Sequence, residues 1–208
     1  MIYSFARISR SRPANLTLTF RPAILVAAAA GITLPSAAHA QWSVTNLHPA
    51  GSPDSYAYAG SGTRQVGVAE IGGAYHASLW NGTAASWVDL NPTGSTLSFA
   101  FGASGTQQVG WAGVGGVQRA SRWSGTAASW VSLHPPGSPE SQAWGASGTQ
   151  QVGMAVVGDV GHASLWSGTA ASWVSLNPAG TLGSWACATS GTQQVGNAFY
   201  GGTFHASL

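Results

Sequence analysis

The chain repeats a pattern in which apolar and polar positions alternate over short segments. Its first clear copy contains SYAYAGSG at 55–62, QVGVAEIG at 65–72, HASLW at 76–80 and ASWVDL at 85–90. Each segment is four to eight residues long and carries aromatic or β-branched residues at alternating positions, which is typical of β-strands. No segment shows a 3.6-residue apolar period over helical length. The pattern therefore predicts an all-β chain with four strands in each unit.

This unit recurs with a period of 43 residues. The tripeptide Ser-Gly-Thr begins at Ser61, Ser104, Ser147 and Ser190. An Asn-Gly-Thr or Ser-Gly-Thr turn separates the third and fourth segments, a composition that suits hairpins. Four strands in about 40–45 residues match the size of a propeller blade. We therefore predict an all-β fold, a β-propeller of four 43-residue, four-stranded blades, with a β-helix as the second-ranked alternative.

The two ends of the repeat region predict how the ring is completed. Residues 42–47 have the phase of a fourth strand, and residues 204–208 have the phase of a third strand. Pairing between these segments assembles one blade from both termini and removes the exposed sheet edges. We therefore expect a closed ring. The alternatives are a partial ring completed by oligomerisation and a fragment of a longer repeat protein.

The first forty residues have the features of a secretory signal peptide. Four arginines precede an apolar stretch at 23–34, and Ala38-His39-Ala40 follows it. A basic segment, an apolar segment and an A-x-A cleavage site make up that signal. The apolar stretch is about a dozen residues, short of the ~20 that span a bilayer. We predict a signal peptide at 1–40, a propeller domain at 41–208, secretion to the periplasm, cell surface or medium, and no membrane span after cleavage.

Composition removes several classes of protein. Ten tryptophans among 208 residues argue against disorder. A single cysteine excludes an internal disulfide framework and a cysteine-based zinc cage. The formal net charge is +2, but four of the seven arginines lie in the predicted leader, whereas all five acids follow it. The remaining chain is slightly acidic and has no cluster of cations, so we expect no nucleic-acid partner.

The motifs resemble a known bacterial repeat. HASLW, a turn, a W-V-D-L-N-P segment, a G-x-x-x-S-x-A segment and a Q-V-G strand follow one another over 42–208. This order is similar to the HAF-type extracellular repeat, although Ser78, Ser164 and Ser207 replace its phenylalanine. The second copy also departs from the pattern, with Arg119 and Arg122 in place of His and Leu. The resemblance implies a secreted or cell-surface repeat protein and supplies no catalytic residues.

Three residue types have candidate roles within the strands. Trp80, Trp123 and Trp166 end the third strand of successive copies, and Trp87, Trp130 and Trp173 begin the fourth. We predict that they fill the space between blades, with carbohydrate stacking as the alternative. Cys187 is predicted to be a small buried hydrophobic residue. For His76, His162 and His205 we expect a hydrogen bond to a carbonyl of a neighbouring strand rather than a metal ion.

The connections between copies supply the candidate ligand-binding residues. Copies one and three read LHPAGSPDS and LHPPGSPES, so His48 and Asp54 match His134 and Glu140 at a separation of 86 residues. In a four-bladed ring these copies lie opposite each other, with Asp159 in a turn on the same face. We predict a ligand site formed by these five residues. The alternative is a set of solvated turns whose side chains cap local amides.

The function predicted from these features is a non-enzymatic binding module. Nearly identical repeats suit repeated weak contacts, in which avidity matters, whereas catalysis needs differentiated residues at one place. The expected partner is a polysaccharide, a surface protein or another copy of the chain, with no cofactor, metal or catalytic residue. The alternative is a glycan-active enzyme using Asp54 and Glu140, because glycosidases need two carboxyl groups about 5–10 Å apart.

Overall fold

Fifteen antiparallel strands form four consecutive sheets in the computed structural model, which describes residues 43–208. This architecture confirms the all-β prediction. No helix in the described part is long and apolar enough to cross a membrane. The predicted signal peptide at 1–40 lies outside the described residues, as does Trp42.

Each sheet follows the order of the sequence. Sheet 1 consists of β1 (Ser55–Ser61), β2 (Arg64–Ile71), β3 (Ala74–Trp80) and β4 (Val88–Asp89). Sheet 2 consists of β5 (Ser95–Ser104), β6 (Gln107–Val114), β7 (Val117–Trp123) and β8 (Val131–Ser132). Sheet 3 consists of β9 (Ser141–Ser147), β10 (Gln150–Val157), β11 (Val160–Trp166) and β12 (Val174–Ser175). Sheet 4 has three strands: β13 (Ser184–Thr189), β14 (Gln194–Tyr200) and β15 (Thr203–Ser207).

The fourth predicted strand is shorter than the sequence pattern suggested. In place of the first half of ASWVDL, a 3-10 turn covers Ala84–Ser86, and its counterparts cover Ala127–Ser129 and Ala170–Ser172. The hydroxyl of Ser86 donates to the carbonyl of Thr83 at 2.6 Å and accepts the N–H of Asn81 at 2.7 Å. Such local side-chain bonds compete with strand pairing. Only two residues of each segment therefore remain in the sheet.

The glycine of each QVG motif is required by a close backbone approach. A Cβ built on Gly110 would lie 1.8 Å from the carbonyl oxygen of Phe99, and Gly67, Gly153 and Gly196 meet the same obstacle in their own sheets. This approach occurs beside the irregular register at the middle of the first strand. A side chain at this position would push the first two strands of the sheet apart.

The core consists of the layers between successive sheets. Val66, Ala77 and Leu79 of sheet 1 pack against Ala112 and Trp123 of sheet 2. The layer between sheets 2 and 3 repeats this arrangement around Trp166. The prediction that tryptophans fill the space between sheets is confirmed for Trp123 and Trp166, which are buried in these layers, with Trp130 and Trp173 partly buried against them. Trp80 is also buried, but it lies beside residues 44–48 rather than beside another sheet.

Polar side chains of the repeat also form hydrogen bonds between neighbouring sheets. The side chain of Gln151 is fully buried and donates to the side chain of Gln107 at 2.6 Å, joining sheets 3 and 2. Its oxygen accepts the N–H of Gly168 at 2.8 Å, which holds the turn after the third strand. The second glutamine of the SGTQQVG motif is therefore a structural residue.

The predicted pairing of 42–47 with 204–208 is not formed within the described residues. There, β15 pairs only with β14, and residues 43–49 belong to no strand. Residues 44–48 instead line a pocket with Tyr56, Ala57 and Trp80 of sheet 1. In the described part of the chain, sheets 1 and 4 therefore remain the two ends of the stack.

Candidate functional site

A continuous group of aromatic side chains crosses from sheet 1 to sheet 2. We define this aromatic surface as Tyr56, Tyr58, Tyr75, Phe99, Phe101 and Trp111. Its shortest ring-to-ring distance is 4.9 Å, between the stacked rings of Phe99 and Trp111. Across the two sheets, the ring centroids of Tyr58 and Phe101 are 5.6 Å apart. The six rings therefore form one connected patch.

Part of this patch is open to solvent. Tyr56 and Tyr58 are 49 % and 47 % exposed, and their rings are nearly parallel, with centroids 6.5 Å apart. Trp111 at the other end is buried. The patch therefore combines a buried base with an exposed, hydroxyl-bearing edge. Tyrosine is suited to such an edge because it has an apolar ring and a polar tip.

Two tyrosine hydroxyls of the aromatic surface, those of Tyr58 and Tyr75, have a raised pKa. Burial raises the pKa of Tyr58, and the neighbouring Tyr56 adds to this effect. Burial also raises the pKa of Tyr75, followed by the charge of Tyr56 and a hydrogen bond with it, and then by the carboxylates of Asp54 and Glu70. Tyr58 and Tyr75 therefore keep their protons at neutral pH. Asp54, a predicted site residue, is exposed and affects this patch only through its charge.

The two predicted histidines, His48 and His134, each bind a serine at the start of a sheet. The Nδ1 atom of His134 lies 2.7 Å from the hydroxyl of Ser141, which also accepts the N–H of Ala120 in sheet 2 at 2.9 Å. Which partner donates in this pair depends on the tautomer of the imidazole, because the serine hydroxyl has two acceptor lone pairs as well as one proton. The Nδ1 atom of His48 lies 2.9 Å from the hydroxyl of Ser55 in the same way.

Asparagine takes the histidine's place in the other two copies. The hydroxyl of Ser98 donates to Asn91 Oδ1 at 2.6 Å, and that of Ser184 donates to Asn177 Oδ1. Both serines accept the N–H of an alanine from the preceding sheet at 2.9 Å. Histidine and asparagine are therefore alternative partners of the serine in one repeated structural bond. Ligand binding by His48 and His134 stays a prediction.

The protonation of His134 depends on its surroundings. Burial lowers its pKa, and the nearby Arg119 guanidinium lowers it further, whereas a bond to the backbone of Ser138 opposes both effects. The lowered pKa favours the neutral ring, in which Nδ1 either accepts from Ser141 or donates to it according to the tautomer.

The predicted acids do not pair with these histidines in the described structure. The backbone carbonyl of Asp54 accepts the N–H of Glu70 at 2.7 Å, and that of Glu140 accepts the N–H of Val156 at 2.9 Å. Within residues 43–208 neither carboxylate takes part in a hydrogen bond or an ion pair. These backbone bonds hold the segments that contain Asp54 and Glu140 beside the turn between the second and third strands of the sheet that follows each segment. Asp159 lies exposed in that turn of sheet 3.

The three histidines of the third strands bind side chains rather than strand carbonyls. The Nδ1 atom of His76 lies 2.8 Å from Asp89 Oδ2, and that of His162 lies 3.0 Å from the hydroxyl of Ser175. The Nε2 atom of His205 lies 3.0 Å from the hydroxyl of Thr203. The expected structural role is therefore present, but the partners were predicted wrongly. The partner of His76 and of His162 lies on the fourth strand, which crosses beside the third.

The prediction for Cys187 is wrong, because its side chain is exposed. The residue has the repeat phase of Tyr58, Phe101 and Trp144 but belongs to sheet 4, the last in the stack. None of these positions is fully buried: Tyr58 is 47 % exposed although sheet 2 follows it, and Phe101 and Trp144 are only partly buried. This phase of the repeat is therefore not a core position. The nearest polar contact of its sulfur is Asn197 Nδ2 at 3.7 Å.

The described residues contain no group of three or more His, Cys, Asp or Glu side chains that is arranged to hold a metal ion. No protein-family model matches the sequence, and no curated protein or solved structure is significantly similar to it. The aromatic surface is the feature that our sequence reasoning missed. Its signal was the alternation of aromatic residues in SYAYAG and SFAFG, which was used only to predict strands.

Proposed function

We propose that this chain is a secreted, non-enzymatic binding module of the HAF-repeat type, whose four sheets are propeller blades and whose aromatic surface binds polysaccharide. The observation that carries the proposal is the connected patch of six aromatic rings with a half-exposed tyrosine edge. Aromatic side chains of this kind dominate the binding energy of many interfaces.

The propeller assignment draws support from how the first strands meet. Each of β1, β5 and β9 contacts the first strand of the following sheet. In a propeller the first strand of each blade runs nearest the central axis, so successive first strands are neighbours. The order of strands within each sheet also matches a blade, with the first strand at one edge and the fourth at the other.

A polysaccharide ligand suits the chemistry of the patch. Sugar rings present C–H groups on their faces and hydroxyls at their edges. The rings of Tyr58 and Phe101 offer apolar faces for the former, and neutral tyrosine hydroxyls donate to the latter.

Binding to polysaccharides tests this proposal directly. Pull-down of the purified protein with cellulose, chitin and peptidoglycan measures binding, and the same polysaccharides incubated with the protein are assayed for released reducing sugar. We expect binding to at least one without release of sugar. For the polysaccharide that binds most strongly, Tyr58→Ala should weaken binding by about tenfold, the effect of removing one aromatic side chain from an interface.

The matched control is Tyr200→Ala, which removes a tyrosine of sheet 4 that lies outside the aromatic surface. Its binding should equal that of the unmodified protein. Failure to bind all three polysaccharides, or equal loss in both variants, would contradict the proposal. Release of sugar that disappears in Asp54→Asn would instead support the enzymatic alternative.

A further inference from the structure

One face of sheet 4 lacks the cover that its equivalents have. Val195 is 44 % exposed, whereas Val66, Val109 and Val152, which precede it at steps of 43 residues, are fully buried. Ala206 is exposed, although the alanines of its phase in sheets 1 to 3 are buried. We call Val195, Ala206 and Leu208 the open face of sheet 4. Its residues are those that form the core against a following sheet elsewhere.

Among the described residues, sheet 1 lacks cover over part of its opposite face. Ala57 is exposed and Ser55 is partly exposed. Their equivalents in sheet 2, Ala100 and Ser98, are fully buried because sheet 1 packs on them. We call Ser55 and Ala57 the open face of sheet 1; Trp80 of the same sheet is already buried beside residues 44–48. The two open faces are thus the two halves of an interface that the structure forms three times.

The polar groups of the two faces also complement each other. At each internal interface, a serine hydroxyl of one sheet accepts the N–H of an alanine from the preceding sheet, as Ser98 accepts that of Ala77 at 2.9 Å. Ser55 already binds His48 but receives no such N–H from the described residues. Ala206 has the repeat phase of the missing donor.

The segment before sheet 1 has the repeat phase of a fourth strand, which sheet 4 lacks among the described residues. The N–H of Leu90 donates to the carbonyl of Ala77 at 2.8 Å, and the equivalent bond recurs in sheets 2 and 3. Leu47 has the phase of Leu90, and Ala206 has that of Ala77. Residues 44–48 lie beside Trp80, just as the outer-strand residues of sheet 1 lie beside Trp123.

Aromatic residues at the two open faces also match a pair that is in contact at an internal interface. Tyr75 and Phe99 approach across sheets 1 and 2 with ring centroids 5.8 Å apart. Phe204 of sheet 4 has the phase of Tyr75, and Tyr56 of sheet 1 has the phase of Phe99. Both are about half exposed. Joining the two open faces brings these rings into the contact that the internal interface already shows.

We propose that the open face of sheet 4 binds the open face of sheet 1 on a second copy of this chain, so that two copies form a head-to-tail ring of eight sheets. The proposal does not rest on the polysaccharide ligand, although the contact of Phe204 with Tyr56 would cover one of the two exposed tyrosines of the aromatic surface. A second copy is favoured because, within the described chain, β15 pairs only with β14 and the two faces do not meet. Eight sheets lie within the usual range of four to eight blades, whereas three copies would exceed it.

The mass in solution is the first test. Size-exclusion chromatography with light scattering, over micromolar concentrations, should give twice the mass of one chain. Val195→Asp should give the single-chain mass, because a charge replaces a residue of the interface core. Val157→Asp, which alters an exposed valine at the end of β10, should leave the dimer unchanged. A single-chain mass for the unmodified protein at all concentrations would overturn the proposal in favour of closure within one chain.

Mixing two defective chains gives a sharper test that misfolding cannot imitate. Val195→Asp introduces a charge into the open face of sheet 4, and Ala57→Asp introduces a charge into the open face of sheet 1. Each variant alone should behave as a monomer. Their mixture retains one intact pair of faces, so native mass spectrometry should detect a one-to-one complex of the two variants. Absence of this complex, while the unmodified protein dimerises, would show that another surface holds the copies together.

A backbone change tests the strand pairing itself. Leu47→Pro removes the N–H that we expect to bind the carbonyl of Ala206 in the second copy. The dissociation constant of the dimer should therefore rise about tenfold. Val44→Pro is the matched control, because Val44 is fully exposed and the equivalent tryptophan N–H bonds within its own 3-10 turn. Equal effects of the two prolines would exclude this pairing.

Discussion

The layer between sheets 2 and 3 and the layer between sheets 3 and 4 are formed by the same repeat but differ in packing. The first contains Val109, Ala120 and Leu133 against the fully buried indole of Trp166. The second contains Val152, Ala163 and Ala186, with no tryptophan in its buried cluster. A cavity of about 210 Å3 lies there, lined by Ala163, Ala186 and Ala198 among others.

The difference shows which residue of the repeat fills the space between two sheets. The alanines of facing strands allow two sheets to approach, but they leave a gap that one indole fills. In sheets 2 and 3 the indole comes from the last residue of the third strand, Trp123 or Trp166. The equivalent position in sheet 4 falls one residue after Leu208. The strands alone therefore form the sheet, whereas the tryptophan determines how well it packs on its neighbour.

Removing an indole should convert the well-packed layer into the poorly packed one. Trp166→Ala is expected to lower the free energy of unfolding by about 3–5 kcal/mol, the usual cost of deleting a buried tryptophan. Urea denaturation followed by circular dichroism measures it. Trp166→Phe is the control, because the buried indole N–H has no hydrogen-bond partner in the described structure, so only volume is lost. A cost below about 1 kcal/mol for the alanine variant would contradict this account.

Removing the serine that accepts an alanine N–H from the preceding sheet should cost more stability in sheet 3 than in sheet 1. Ser141→Ala leaves the buried N–H of Ala120 without its acceptor, so we expect a loss of about 1–3 kcal/mol in the free energy of unfolding. Ser55→Ala, measured in a dilute sample, should cost less, because Ser55 is partly exposed and accepts no N–H from the described residues. Equal losses at the two positions would refute the comparison.

Adding an indole should repair the poorly packed layer. A tryptophan appended after Leu208 places its side chain at the repeat phase of Trp123 and Trp166, next to the cavity. The expected gain is about 1–2 kcal/mol in the free energy of unfolding, within the range for burying one large apolar side chain. Thermal unfolding against a chain with an appended serine measures it. No difference between the two extended chains would mean that the cavity does not accept an indole.

The smallest expected effect concerns pH. The pKa of His134 is lowered by burial and by Arg119, so the unfolded chain binds the proton more readily than the folded chain does. Its contribution to stability is therefore complete above the unfolded pKa of about 6.5 and is lost as the pH falls through the folded pKa. His134→Asn keeps an acceptor for Ser141, as Asn91 does for Ser98. Urea midpoints between pH 7.5 and 5 should fall less in this variant than in the unmodified protein.

The strands were predictable because their signals are local. Alternation, the QVG glycine and the Gly-containing turns are properties of one repeat, and three of the four predicted segments form strands at the expected places. The fourth was predicted too long, because the hydroxyl of Ser86 binds the turn backbone instead of leaving it to the sheet. That competition depends on side-chain geometry that a pattern of apolar positions does not contain.

The candidate site was less predictable because it depends on neighbours from other copies. His48 and His134 were selected for their spacing, whereas their bonds to Ser55 and Ser141 are visible only in the structure; a ligand-binding role for them stays a prediction. The aromatic surface was missed because it requires the rings of sheets 1 and 2 to meet. Cys187 was misplaced because its repeat phase is not a core position in the described sheets: Tyr58 is exposed, and Phe101 and Trp144 are only partly buried.

The sequence by itself determined the unit of this protein: an all-β repeat of 43 residues, its turns, and the tryptophans that pack between sheets. These follow from short-range periodicity and from the size of the indole. Only the tertiary structure decided which copies of a position are buried, because burial is supplied by the adjacent sheet. Val195 and Val152 have the same local sequence phase, but sheet 4 covers only Val152.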